Sequence, residues 1–119
     1  MIIGIGVDTV AISRFEEKLA QTPRLIDRLF LDSERDDKIQ TMAGRFAAKE
    51  AVIKALAGAQ GIEWYGIEVA KDTSGKPIIW LHGETAKIAL RAGIRKLHVS
   101  ITHDGDMATA FVVAEGDEV

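Results

Sequence analysis

Three charged residues in two separate segments are the best candidates for chemistry in this chain. Asp8 follows Gly4-Ile5-Gly6-Val7, and Glu50 and Lys54 lie four residues apart in an alanine-rich stretch. Two carboxylates from different segments make an oxygen-rich site with few protein ligands, which suits Mg²⁺ because it keeps several waters and binds substrate phosphates. Two simpler interpretations stay open: Asp8 as a turn or cap residue, and Glu50 with Lys54 as an i, i+4 pair on a solvated helix face.

The elements predicted around these residues place all three near apolar surface. Alternation of bulky residues with Gly4 and Gly6 predicts a first strand over Ile2 to Val7, with Asp8 on the face that the glycines leave free. The segment from Thr41 to Ala57 predicts the main helix, which ends at Gly58. Glu50 and Lys54 fall between two apolar rows of that helix, and a buried charge needs a partner, a metal or a ligand. The two rows consist of Met42, Phe46, Ile53 and Ala57, and of Ala43, Ala47, Ala51 and Ala55.

The remaining patterns complete an α+β fold, a mostly antiparallel sheet with helices packed against it. Ser13 and Glu16 have the spacing of a capping box, which predicts a helix to about Ala20. Thr22 before Pro23 predicts the cap of a short helix through Leu29. Period-2 alternation and turn residues predict two hairpins with a helix between them. The hairpins join Tyr65 to Lys71 with Pro77 to Leu81, and Leu97 to Thr102 with Ala108 to Ala114, and the helix covers Glu84 to Ala92.

Composition limits the classes of function. The 119 residues predict one domain over 1–119, and 47% hydrophobic residues supply a core. A net charge of -3 argues against general nucleic-acid binding, and no apolar run is long enough for a membrane helix or a signal peptide. The absence of Cys excludes disulfides and thiolate chemistry and favours the cytoplasm. A small core makes self-association an expectation.

Taken in order, several short motifs make the chain resemble the holo-acyl-carrier-protein synthase group of 4′-phosphopantetheinyl transferases. The resemblance extends from residue 4 to about 113, and its most specific parts are the G-x-D motif at Gly6 to Asp8 and the F-x-x-K-E-A-x-x-K motif at Phe46 to Lys54. The other matching residues are Ile12, Arg14, Phe15, Phe30, Glu34, Gly44, Arg45, Gly58, Ile67 to Val69, Gly75 to Pro77, Leu81, Gly83 and Ser100 to His103.

This resemblance implies transfer of 4′-phosphopantetheine from coenzyme A to a serine of an apo acyl carrier protein, with adenosine 3′,5′-bisphosphate released. Asp8 and Glu50 are the implied Mg²⁺ ligands. Glu50, directly or through a metal-bound water, is the implied base for the serine proton, and Lys54 offsets charge on the leaving phosphate. The implied coenzyme A contacts are Arg45, Lys54, Gly58 and His103.

The charge pattern and the family resemblance predict the binding partners of the chain. A basic surface of Arg14, Lys18, Arg24 and Arg28 suits an acidic carrier protein, with a solvated helix face as the alternative. The resemblance implies a homotrimer with active sites between subunits. The sequence reason for association is that the main helix is apolar on almost every side, so a neighbour would cover one row and bring its Asp8 toward Glu50.

Two other function classes remain possible at this level. A Mg²⁺-dependent pyrophosphatase would bind the metal through the same carboxylates and use water as the nucleophile. Its usual Nudix signature, however, needs several glutamates on one helix, where Glu50 stands alone. The second possible class is a small oligomeric module that binds a nucleotide and catalyses no reaction.

Overall fold

In the described part of the chain, five strands and four helices follow one another in the order predicted from the sequence. The computed structural model describes residues 1–56 and 59–117. Short 3-10 turns occupy Asp32–Glu34 and Trp64–Gly66. The strands are β1 Ile2–Ala11, β2 Ile67–Lys71, β3 Pro77–Leu81, β4 Ile94–Asp104 and β5 Met107–Gly116. The helices are α1 Ile12–Gln21, α2 Leu25–Leu29, α3 Ile39–Ala55 and α4 Gly83–Arg91.

The α+β class and the antiparallel pairing are confirmed. One sheet has the strand order β1-β5-β4, and a second pairs β2 with β3. Both predicted hairpins are present, and Gly75 and Gly105 take positive φ values of 88° and 57° in their turns. Because β5 lies between β1 and β4, Asp8 and His103 occupy opposite edge strands of the larger sheet, roughly 10 Å apart across the sheet at two strand spacings and offset by two residues along it.

Several predicted boundaries are wrong, and at the start of α1 a tertiary contact replaces a local one. Ser13 is not the cap of α1: the helix begins one residue earlier, and both the backbone N–H and the hydroxyl of Ser13 donate to Asp106 at 3.0 and 2.5 Å. Thr22 does not cap α2, which begins at Leu25. The expected strand at Tyr65 is a 3-10 turn, and β2 starts at Ile67.

Alanines and glycines determine how closely α3 packs on the larger sheet. The buried alanine row of α3 faces small side chains of β5, among them Ala110 and Ala114. A Cβ atom added at Gly4 or Gly6 would overlap the backbone carbonyl groups of Ala55 or Ala51. The glycines therefore make room for the backbone of α3, and they do not clear space for a ligand as the strand pattern suggested.

The other face of the same sheet is uncovered. Ile5, Val7 and Phe111 are 61%, 48% and 44% exposed, and the register places them side by side on β1 and β5. By contrast, α3 is largely buried within one chain. The predicted reason for association, an apolar main helix that one chain cannot cover, is therefore wrong, and the exposed apolar surface belongs to the sheet.

Candidate active site

The contact between β1 and α3 brings the two predicted carboxylates into one chain's own site. Asp8 lies inside β1, which continues to Ala11, so it is not at the strand end as expected. It is on the same face as Gly4 and Gly6, because side chains alternate along a strand. The close approach that these glycines allow places Asp8 beside the C-terminal half of α3.

Lys54 connects the two elements directly. Its Nζ donates to Oδ1 of Asp8 at 3.1 Å and to the carbonyl oxygen of Val7 at 3.0 Å. The Lys54 side chain is 57% exposed, whereas Asp8 is 20% exposed. The ammonium group therefore remains in contact with solvent while it neutralises the largely buried carboxylate of Asp8.

Glu50 is half-buried and lies within the electrostatic reach of Asp8. Burial raises the pKa of the Glu50 carboxyl, and the negative charge of Asp8 raises it further. Trp64 and Lys54 act in the opposite direction and lower this pKa. The pair is assembled within one chain, so the expectation that a neighbouring subunit brings its Asp8 to Glu50 is wrong.

The two carboxylates are the donors that a metal ion would find here. Among residues 1–56 and 59–117, no group of three or more His, Asp or Glu side chains is arranged to hold a metal. Two neighbouring carboxylates with one partly exposed ammonium nevertheless fit Mg²⁺, which needs few protein oxygens and keeps its own waters. The Lys54 ammonium already shows that a cation is accommodated at Asp8.

A cavity of about 350 Å³ opens beside Asp8 and contains part of the predicted basic surface. Arg14 and Lys18 of α1 line it together with Asp8 and Trp64. Arg28 lines a neighbouring cavity that shares Trp64. Arg24 is exposed and lines neither of these two cavities. The basic surface is thus divided, with Arg14 and Lys18 nearest the carboxylates.

Of the four predicted coenzyme A residues, Lys54 lies at Asp8, and two others occupy a different groove. Arg45 and His103 line a cavity of about 200 Å³ that does not include Asp8. His103 packs on Gly44, where a Cβ atom would be 2.9 Å from Nε2, and its ring nitrogen bonds the Gln40 carbonyl oxygen at 2.9 Å. The guanidinium of Arg45 donates to the carbonyl oxygen of Glu34. The fourth residue, Gly58, lies outside the described residues.

Two features near the site had no role in the sequence analysis. Glu34 and Lys49, the latter in α3, form a buried ion pair. Both residues matched family positions, but the match did not indicate that they pair. Trp64 contributes to two cavities, but it lies outside every strand and helix predicted from the sequence. Such placements depend on long-range packing, so residue spacing alone could not indicate them.

Comparison with known families identifies the class of protein. The family model of the 4′-phosphopantetheinyl transferase superfamily matches residues 4–112. The chain belongs to this superfamily. A phosphopantetheinyl transferase is an enzyme, and this membership decides against both the Nudix pyrophosphatase and the binding module without chemistry. Among the described residues, no helix has the length and apolar character needed to cross a membrane.

Relatives of this transferase and solved structures support the assignment over the whole chain. A protein of Leifsonia xyli subsp. xyli named holo-[acyl-carrier-protein] synthase is 49% identical over 117 residues, covering 98% of this chain and 99% of its own. The crystal structure of holo-[acyl-carrier-protein] synthase from Neisseria meningitidis has a TM-score of 0.89 at 31% identity, covering 97% and 99% of the two chains. The Helicobacter pylori synthase in complex with coenzyme A has a TM-score of 0.83 at 33% identity and covers 93% and 99%.

Proposed function

We propose that this transferase is a holo-acyl-carrier-protein synthase that moves 4′-phosphopantetheine from coenzyme A to a serine hydroxyl of an apo acyl carrier protein. The products would be holo carrier and adenosine 3′,5′-bisphosphate. The observation that carries the proposal is the Asp8, Glu50 and Lys54 cluster between β1 and α3, next to a cavity lined by Arg14 and Lys18. We further propose that residues 1–119 form one domain and that it acts in the cytoplasm in fatty-acid and lipid synthesis.

Charge balance determines the roles of the three residues. Asp8 and Glu50 are the proposed ligands of Mg²⁺, which when bound would neutralise charge on the pyrophosphate of coenzyme A. The raised pKa of Glu50 suits a base, because a carboxylate that is costly to keep ionised accepts a proton readily from the serine hydroxyl. Lys54, whose side chain is more than half exposed beside Asp8, is the proposed group that offsets charge on the leaving phosphate.

The position of Arg45 and His103 supports a site shared between subunits. They line a groove separate from the Asp8 cavity, at the opposite edge of the sheet. We propose that these residues bind the adenosine-side phosphates of the coenzyme A held at a neighbouring chain's Asp8 and Glu50. The exposed sheet face of Ile5, Val7 and Phe111 supplies an apolar surface for association, and the homotrimer itself is the family's expectation.

Mass spectrometry of the carrier tests this function directly. Apo acyl carrier protein incubated with coenzyme A, Mg²⁺ and the enzyme should gain the mass of one phosphopantetheine group, and chelation of Mg²⁺ should prevent the gain. The Asp8→Asn variant should be inactive, whereas Asp117→Asn, which neutralises an exposed carboxylate paired with Arg95, should be active. A carrier that stays unmodified, or loss of coenzyme A without carrier, would refute the proposal.

A further inference from the structure

A fully buried ion pair joins α3 to the 3-10 turn at Asp32–Glu34. Nζ of Lys49 is 2.5 Å from Oε1 of Glu34, and neither side chain is exposed. Replacement of a buried ion pair by apolar side chains of similar volume is often neutral or stabilising, because desolvation offsets the attraction between the charges. The proposed reaction uses neither charge. The pair therefore calls for a role other than stabilisation of the fold.

The carboxylate of Glu34 is held by donors from three segments of the chain. Besides the Lys49 ammonium, it accepts from the backbone N–H of Leu31 at 2.9 Å and from that of Val69, in β2, at 2.7 Å. Rotation of this buried carboxylate would leave these donors unpaired, which is costly away from water. The side chain therefore fixes the position of residue 34 between α3 and β2.

The backbone of the same residue is bound by Arg45. The guanidinium of Arg45 donates to the carbonyl oxygen of Glu34. Arg45 and Lys49 are four residues apart in α3, so their side chains lie on the same face of the helix. Two neighbouring cations of α3 thus bind one residue, Lys49 at the carboxylate and Arg45 at the carbonyl oxygen.

The hydrogen bond to Glu34 orients Arg45 without cancelling its charge. A carbonyl oxygen is neutral and a guanidinium carries several N–H donors, so Arg45 keeps its positive charge and has further donors for a ligand. Arg45 lines the cavity of about 200 Å³ that also contains His103. A planar guanidinium in a fixed orientation suits bidentate binding of a phosphate group. The bond to the Glu34 carbonyl oxygen therefore sets the orientation in which Arg45 would meet a phosphate in this groove.

We infer that the Glu34–Lys49 ion pair is a positioning device for the phosphate-binding groove: it fixes Glu34, whose carbonyl oxygen orients the Arg45 guanidinium toward coenzyme A. The inference rests on the proposed function, in which Arg45 and His103 bind the adenosine-side phosphates. Each link is a hydrogen bond, from Lys49 to the Glu34 carboxylate and from Arg45 to the Glu34 carbonyl oxygen. Glu34 and Lys49 act through Arg45 and do not touch the substrate.

Removal of both charges together tests the ion pair without leaving one charge buried. The double variant Glu34→Gln/Lys49→Met keeps similar side-chain volumes. The matched control Glu84→Gln/Arg91→Met removes the exposed 3.1 Å pair of α4. We expect KM for coenzyme A to rise about tenfold or more in the double variant while kcat stays within about threefold, because the proposed metal ligands do not line this groove. A KM equal to that of the control, or a loss confined to kcat, would overturn the inference.

A second measurement determines whether the ion pair acts through Arg45 and needs no activity. Titration calorimetry with adenosine 3′,5′-bisphosphate, the proposed product, gives a Kd for the wild type, the double variant, Arg45→Ala and the three changes combined. We expect the double variant to bind about tenfold more weakly than the wild type, and the combined variant to bind no more weakly than Arg45→Ala alone. If the two losses multiply in the combined variant, the ion pair acts by another route and the inference is wrong.

If circular dichroism shows that the double variant does not fold, Glu34→Asp tests the same inference. This change keeps both charges and withdraws the carboxylate from Lys49 by one methylene group. We expect KM for coenzyme A to rise about threefold or more with little change in kcat, and a KM equal to that of the wild type would contradict the inference. Absence of transfer by the wild type and the control would instead refute the proposed function.

Discussion

At the scale of single residues, the site concentrates more negative charge than its one ammonium balances. Asp8 and Glu50 lie within electrostatic reach of each other across the contact between β1 and α3, and of these two carboxylates Asp8 is the one that Lys54 hydrogen-bonds. Burial adds to the cost of ionised Glu50. In the proposed function this site would bind a divalent cation, at the expense of stability in the cation-free protein.

This cost gives a pH-dependent prediction for Glu50→Gln. The pKa of Glu50 is raised on folding, so the unfolded chain ionises first and the free energy of unfolding falls as pH rises through the ordinary glutamate range. Once the pH exceeds the raised pKa the penalty is complete, and glutamine removes it. We expect the cation-free variant to melt a few degrees above the wild type at pH 7, and at the same temperature near pH 4.

Thermal unfolding at the two pH values checks this prediction, and transfer activity provides the second readout. The variant should be inactive although it is more stable, and Mg²⁺ should stabilise the wild type but not Glu50→Gln. The Glu84→Gln variant is the control because its carboxylate is exposed. A lower melting temperature for Glu50→Gln at pH 7 would contradict the electrostatic account.

At the scale of elements, the site depends on how closely β1 and α3 approach. Gly6 is buried against the backbone of Ala51, so substitution by alanine forces the two elements apart. We expect Gly6→Ala to cost about 1–3 kcal/mol or more of unfolding free energy and to reduce activity, because Asp8 moves with β1. Thr9→Ala, on the uncovered face of the same strand, should cost about 1 kcal/mol or less.

Chemical denaturation of both variants measures the difference. Equal unfolding free energies for Gly6→Ala and Thr9→Ala would show that α3 adjusts to the added methyl group. In that case the position of Asp8 would not depend on the glycines.

The elements themselves could be predicted from local patterns, and their contacts could not. Alternation in β4 and β5 and the alanine row of α3 are periodic signals, and the structure confirms them. The cap of α1 comes from Asp106, which is 93 residues from Ser13, so no local motif could supply it. For the same reason, the sequence could not predict the position of Trp64 or the Glu34–Lys49 pair, because both depend on how β2 packs against α3.

At the scale of the whole molecule, the cavity beside Asp8 is the place where a carrier protein would approach. Arg14 and Lys18 line it from α1. Arg14→Glu should raise the apparent KM for an acidic carrier with little change in KM for coenzyme A, because a rim charge acts mainly on association. Lys87→Glu makes the same charge change on exposed α4 and should leave both values unchanged.

Initial-rate kinetics at several salt concentrations check this prediction. The wild-type rate at low carrier concentration should fall as salt screens the attraction, and Arg14→Glu should depend on salt less steeply. Identical carrier kinetics for Arg14→Glu and Lys87→Glu would place the carrier at another surface.

The separation of the two grooves predicts which inactive variants rescue each other in a mixed oligomer. Asp8 and Glu50 come from one chain, whereas Arg45 and His103 line a groove at the other edge of the sheet. If a site combines the carboxylates of one chain with His103 of its neighbour, mixing Asp8→Asn with His103→Ala restores about a quarter of the sites, since each site draws two chains independently. Mixing Asp8→Asn with Glu50→Gln should restore none, because every chain then lacks one carboxylate. Activity assays after subunit exchange distinguish the cases, and rescue by the carboxylate pair alone would reverse the assignment of residues to subunits.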